Sequence, residues 1–349
     1  ANGNAAPPHA AYVTEHALQP FNAMYFDSRD ARHVSYSDEN CAAAQTAETE
    51  PVAAPRVMPE SPLTFDDEIE IVSREDLREF FRHPARYFLA NRLHAKEPFR
   101  ASEELEDYEP FALDGLAAYG VKEALLACLT RSGDFAAVKD WYRATGDLPP
   151  GAAGEREWER CVDVASGVAE AVERVRGDAE PDTCGIDISC DDGTRVVGSV
   201  PDVYDGILVR ARCASVKGKD MLSAWIDHCF CAAMGLPCET HVIGKEEDKC
   251  IPGISPDAAR GVVSEFLALY REGLTRPLPF FPETSYARAA GGNVKEAWDG
   301  GFRSTGEKSD ALFRMCFGND IEAIPDVDDI ARRFYGRLID LIREAEAAE

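Results

Sequence analysis

Residues 184–235 limit the possible fold more than any other part of the chain. Three short apolar runs, 185–190, 194–200 and 207–213, are separated by Asp191-Asp192-Gly193 and by Pro201-Asp202-Val203-Tyr204-Asp205-Gly206. Both separators are turn-forming, so the runs read as a β-meander, with Asp202 and Asp205 as turn residues. Leu222, Trp225, Ile226, Cys229, Phe230 and Ala233 then recur at the 3/4 spacing of an amphipathic helix with one buried stripe. A further strand over residues 239–243 completes a β-β-β-α-β order.

Helices are expected on both sides of this core. Ser73 with Asp76 approximates a capping box, and Leu77, Phe80 and Phe81 form an apolar face before Pro84 breaks the helix. Tyr87, Phe88 and Leu93 continue on a second helix. Further helical patterns cover 113–129, 134–143, 155–176, 256–272, 310–316 and 327–349, and Ser255-Pro256 is a good N-cap and N1 pair for the run that reaches Glu272. Residues 274–286 are broken by prolines. The fold class expected is α/β (α+β), a mixed central sheet flanked by many helices. The expected domains are 1–62, an extended segment and linker, and 63–349, divided into a helical part (63–180), a sheet core (181–250) and C-terminal helices. Residues 1–14 read as disordered, and 40–48 as a possible short helix within the linker. The start on Ala-Asn-Gly without methionine predicts a piece of a longer chain.

A strand order of this kind can carry metal-dependent phosphodiester hydrolysis, which needs carboxylates to hold Mg²⁺ and a lysine beside the attacking water. Asp202 stands where a first aspartate could be. No Asp/Glu-x-Lys follows on the third strand, where Arg210, Arg212, Cys213 and Ser215 stand instead, followed by Lys217. A cationic strand repels Mg²⁺, so Asp202 is at most a vestigial catalytic candidate. His228, Cys229, Cys231, Cys238, His241 and Cys250 do not match a common zinc spacing, and Cys229-x-Cys231 puts its sulfurs about 200° apart around a helix. The cysteines read as reduced, with Cys229 on the apolar stripe as a small hydrophobe, and no metal or cofactor is expected. No Gly-x-Ser-x-Gly elbow, P-loop or Gly-x-Gly-x-x-Gly cradle occurs.

The formal charge of −26 argues against a broad nucleic-acid footprint and predicts weak binding to duplex DNA. Local basic patches remain: Arg82, Arg86 and Arg92 interleave with aromatics, and Arg210, Arg212, Lys217 and Lys219 precede the Trp225/His228 helix. These nine residues are the candidate DNA or partner contacts, although buried aromatics with solvated arginines would give the same pattern. Residues 97–109 hold six carboxylates against Arg100. No apolar run reaches the roughly 18–20 residues of a membrane span, and a cytoplasmic location is expected.

The chain resembles the C-terminal part of RecC, the gamma subunit of the RecBCD helicase–nuclease, exodeoxyribonuclease V. The resemblance rests on Leu18-Gln19-Pro20-Phe21 with Tyr25-Phe26 and Ser35-Tyr36-Ser37, and on residues 76–84 with Arg86-Tyr87-Phe88-Leu89 and Arg92-Leu93. Residues 109–116, Lys219-Asp220 leading into Trp225-x-x-His228, and Pro277-Leu278-Pro279-Phe280-Phe281-Pro282 extend it. The resemblance implies a restriction-endonuclease-like PD-(D/E)XK core that has lost its active site. It also implies RecB-like and RecD-like partner subunits, DNA contact within the complex and a part in double-strand-break repair. Related nucleases with an iron–sulfur cluster have a cysteine where this chain has His83. The alternatives are an active Mg²⁺-dependent nuclease drawing on Asp187, Asp202 and Glu239, and a metal-stabilised scaffold.

Overall fold

The structure, a computed structural model, describes residues 14–27, 29, 32–47, 61–64, 69–95, 112–131, 133–236, 238–301 and 304–347. The expectations for residues 1–13 and for the acidic run 97–109 lie outside the described residues. Two compact units divide the chain, Ala1–Pro55 and Arg56–Glu349. In the first, helix α1 (Asp38–Ala47) covers most of the short helix expected there. Tyr25 stacks on His16 with centroids 5.9 Å apart, and the Tyr25 hydroxyl donates to the Ala17 carbonyl at 3.1 Å.

The second unit is mixed α/β. Its chain order is β1 (Ile71–Ser73), α2 (Arg74–Arg82), α3 (Pro84–Asn91), α4 (Gly115–Thr130), α5 (Phe135–Ala144), α6 (Gly151–Arg176), β2 (Asp182–Ser189), β3 (Arg195–Tyr204), β4 (Ile207–Ala211), α7 (Gly218–Ala233), β5 (Glu239–Ile243) and β6 (Asp248–Ile251). Then come α8 (Pro256–Thr275), α9 (Pro282–Ala290), α10 (Val294–Asp299), a two-residue pair β7 (Gly300–Gly301) and β8 (Ser304–Thr305), α11 (Ala311–Phe317) and α12 (Val327–Glu346). Ser73 caps α2 through a reciprocal bond with Asp76, and Ser255 caps α8 ahead of Pro256.

Strands β1 to β6 form one mixed sheet, in which β3 pairs with β1, β2 and β4. Since β2 runs antiparallel along β3 from Asp182↔Val203 to Ser189↔Arg195, β1 and β4 must share the opposite edge. β1 takes one end, parallel, at 195–197, and β4 takes the other at Val203 and Tyr204. The stretch 198–202 between them makes no ladder on that edge.

One face of the sheet, with Ile186, Val196, Val200, Leu208 and Val242, packs against Phe81, Trp225, Phe266 and Phe334 of the helices. The other, with Tyr204, Val209 and Ile243, packs on Leu125, Trp158 and Val168 of α4 and α6. α7 is where the structure departs furthest from the expected stripe. Thirteen of its residues are buried, on every side of the helix, because sheet, α2, α8 and α9 surround it. The separator after β3 also differs: Pro201–Tyr204 belong to the strand, and only Asp205 and Gly206, both at positive φ, form a two-residue primed turn. Asp202, at φ 59°, is thus an irregular strand residue. Of the proline-broken segment 274–286, Leu274 and Thr275 end α8 and only residues 276–281 are non-helical before Pro282 opens α9.

A smaller cluster of Ala85, Leu89, Phe281, Trp298, Phe313 and Phe317 ties α3 to α9–α11. His83 caps α3, stacks on Phe313 at 4.0 Å and lies 3.2 Å from Asp310, which caps α11. Burial opposes ionisation of Asp310, but His83 and the backbone N–H groups of Phe313 and Leu312 hold its carboxyl down at about 2. A depressed folded pKa adds stability above the unfolded value of 3.8 and loses it as pH falls through about 2. Combining this partly exposed contact with the lost cap, Asp310→Ala should reduce stability by about 1–2 kcal/mol at neutral pH. The gap from wild type should narrow as pH falls from about 4 towards 2, read from urea unfolding at each pH.

Candidate functional site

The gap on the shared edge of β3 is filled by arginines. Arg74, the first residue of α2, and Arg210, on β4, converge on Asp227 of α7. Arg74 Nε donates to Asp227 Oδ1 at 2.7 Å and its Nη2 to Oδ2 at 2.9 Å. Arg210 donates to Oδ2 through Nε at 3.1 Å and Nη2 at 2.8 Å, and through Nη1 to the Pro201 carbonyl at 3.0 Å. The contact with the Pro201 carbonyl satisfies a group the ladder leaves open. Arg74 also donates to Glu75 at 2.8 Å. Gly198 permits this approach, since a Cβ there would lie 2.8 Å from Arg74 Cβ.

Asp227 is fully buried. Burial pushes its carboxyl up, but the Arg74 hydrogen bond and the charges of Arg210, Arg74 and Arg78 outweigh it, so the carboxyl stays ionised below its ordinary range. Every oxygen of the pair thus meets a guanidinium, in a position where a divalent ion would have to displace fixed positive charge.

The other sequence candidates are dispersed. Asp202 projects to the α4/α6 side, in a pocket with Glu123, Tyr204 and Val209, and contacts Arg131 at 3.5 Å. Arg210 lies on the α7 side, so the two do not meet. Asp187 is paired with Arg195 at 2.6 Å, and Glu239 with His241 at 2.9 Å. Among the described residues, Asp187, Asp202 and Glu239 do not assemble as one ligand set.

Arg82, Arg212 and Lys219 do come together, with Arg78 and Tyr119, around a cleft of about 530 Å³. Glu75, Glu79 and Asp220 line it too, so it is of mixed charge. Arg212 pairs with Asp220 and lies over the Tyr119 ring at 5.5 Å. Lys217 is exposed at the start of α7, and Arg86 is exposed on α3. Arg92 reaches the carbonyls of Leu274 at 2.9 Å and Thr64 at 3.1 Å, a structural tie between chain segments.

Trp225 and His228 are fully buried, which corrects their place among surface contacts. Trp225 Nε1 donates to the Phe334 carbonyl at 3.2 Å, and His228 Nδ1 lies 2.9 Å from the Thr240 hydroxyl. Burial raises the Cys229 thiol well above its ordinary range, so it is an inert core group.

The pattern search passed over Arg74, Arg78 and Asp227. Asp227 carried a usable signal: with His228 it interrupts the apolar run from Ala224 to Phe230, where a charge survives burial only with partners.

The RecC C-terminal domain model matches residues 69–293. The chain is 31% identical over 220 residues to the RecBCD enzyme subunit RecC of Escherichia coli strain K12, covering 62% of this chain and 19% of that protein. It is 29% identical over 297 residues to the RecBCD enzyme subunit RecC of Mycolicibacterium smegmatis, covering 79% of this chain and 26% of that protein. The subunit of the same name from Mycobacterium tuberculosis strain H37Rv is 29% identical over 301 residues, or 81% of this chain. The chain therefore spans about a fifth to a quarter of the length of these curated relatives. With the family match running from β1 through α9 and enclosing the whole sheet and the Arg74–Asp227–Arg210 network, the chain belongs to the RecC C-terminal domain family.

Proposed function

We propose that this chain is a non-catalytic, nuclease-like region of a RecC-type subunit in a RecBCD helicase–nuclease of DNA double-strand-break repair. In this reading it is a scaffold for RecB-like and RecD-like subunits and guides DNA within the complex. Its second unit has a PD-(D/E)XK type of core, with β2-β3-β4-α7-β5 as the β-β-β-α-β element and residues 63–349 as the nuclease-like domain. Residues 1–62 link it to a preceding helicase-like region, and the assembly acts in the cytoplasm. The observation that carries the proposal is Arg210, bonded to buried Asp227 on the strand where a Mg²⁺ nuclease of this order needs carboxylates. Arg82, Arg212 and Lys219 around the cleft are the best placed of the proposed contacts.

Incubation of the purified chain with plasmid and single-stranded oligonucleotide in Mg²⁺ or Mn²⁺ tests the reading. No cleavage above a mock preparation is expected, and duplex binding should be weaker than about 1 µM at physiological salt. Cleavage that disappears on Asp202→Ala would overturn it.

A further inference from the structure

The β5–β6 hairpin at the sheet edge carries a group of donors that the proposed function does not use. Thr240 and Val242 turn their side chains into the core, so Glu239 and His241 share the opposite face of β5. β6 pairs antiparallel to β5 with Cys250 opposite His241, and Asp248 lies two residues before it on the same side. Four chemistry-bearing side chains, one imidazole, one thiol and two carboxylates, therefore meet on one hairpin face.

The ligand atoms of Glu239, His241 and Cys250 all lie within 4.8 Å of one another. Glu239 Oε1 is 2.9 Å from His241 Nε2 and 3.3 Å from Cys250 Sγ. On the other side of the ring, Nδ1 lies 3.0 Å from Asp248 Oδ2. Both ring nitrogens thus face carboxylate oxygens. A neutral imidazole carries one N–H, so one of these contacts requires a cation, either a second proton or a metal ion. If Nδ1–H donates to Asp248, the Nε2 lone pair points towards Glu239 and Cys250, the arrangement in which a carboxylate orients a metal-binding histidine.

We propose that Glu239, His241 and Cys250 bind a divalent transition-metal ion of the zinc class, with Asp248 as the positioning residue for His241. Bond lengths of about 2.0–2.3 Å to tetrahedral zinc set ligand atoms roughly 3.3–3.7 Å apart; the Glu239–Cys250 contact of 3.3 Å falls in that range, the Glu239–His241 contact of 2.9 Å would have to open slightly, and the third pair lies within 4.8 Å. Thiolate and imidazole together favour zinc, cobalt or nickel over Mg²⁺ or Ca²⁺, which separates this site from nuclease chemistry. The ion fastens β6, the edge strand, to β5, with solvent as the fourth ligand because Cys250 and Glu239 are exposed.

The test is titration of the reduced, metal-free 349-residue chain with Co²⁺, followed by displacement with Zn²⁺. Binding of about one equivalent is expected, with a thiolate-to-cobalt charge-transfer band. His241→Ala and Cys250→Ser should each weaken binding by at least about tenfold, and Cys250→Ser should remove the band. Asp248→Asn should keep the stoichiometry and the band while weakening binding about 10–100-fold. If His241→Ala fails to fold, Cys250→Ser at its exposed position decides the matter, with circular dichroism confirming the fold. Absence of the band in the wild-type chain, or affinity and band unchanged in Cys250→Ser, overturns the proposal.

Discussion

Replacing Asp227 with alanine should destabilise the second unit by about 3–5 kcal/mol, read as a lower urea midpoint at constant m. The effect is large because the substitution strands charge. Arg74 is 6% exposed, and Arg210 keeps only 19% of its side chain in contact with solvent. Without the carboxylate their guanidinium groups repel each other and Arg78 in a poorly solvated space. Removing all three partners together, by Arg74→Leu, Asp227→Leu and Arg210→Met, should lose less than Asp227→Ala alone, since no orphaned charge remains. The sign of the pH dependence is also fixed. The Asp227 carboxyl is held below its ordinary value of 3.8, so its contribution is present above that pH and is lost as pH falls through the lower, folded value. A change below about 1 kcal/mol in Asp227→Ala, the range of an exposed ion pair, would show that the network contributes little.

Phe334→Ala should be of similar size, about 3–5 kcal/mol, for a different reason. Phe334 is 1% exposed at the centre of an aromatic cluster. Its ring lies 4.5 Å from Phe81, 4.8 Å from both Phe266 and Phe280, and 4.7 Å from Tyr335. Truncation leaves a cavity walled by rings contributed by α2, α8 and the segment before α9, none of which can collapse inward without moving its own element. Phe334→Leu should recover a substantial part of the loss by filling some of that volume. Thermal unfolding and near-ultraviolet circular dichroism would record both variants. A loss under about 1 kcal/mol for Phe334→Ala would mean that α12 repacks freely.

Much of this fold could be read from local chemistry. The Ser73/Asp76 box, the Pro84 break and the Ser255-Pro256 start are written in a few adjacent residues, and the structure places α2, α3 and α8 accordingly. The β2–β3–β4 meander and α7 followed from turn residues and apolar periodicity. β1 escaped because three residues, Ile71–Ser73, are too short for a period, and its pairing with β3 depends on a partner more than a hundred residues away. β6 escaped because Asp-Lys-Cys-Ile is mostly polar and lies at the sheet edge. The burial of α7 on all sides was also invisible, since a local pattern cannot report how many layers will cover a helix. The candidate site was legible in one half. Arg210 on the third strand of the meander stood out as a cation where carboxylates were sought, but its partner Asp227 and the opposing Arg74 required the tertiary fold.

The Arg74–Asp227–Arg210 arrangement also constrains which sequences can follow from this one. An acidic residue at position 210 would bring a second negative charge against buried Asp227, with only Arg74 bonded to the pair. A neutral residue at 227 would leave two arginines facing each other. Each single step from the present triad therefore crosses a less stable intermediate, whereas coordinated changes at all three positions need not. Such coupling acts as a ratchet: with the guanidinium in place, acquiring a carboxylate-lined metal site there requires several substitutions at once, and drift at any one of the three positions is penalised by the other two.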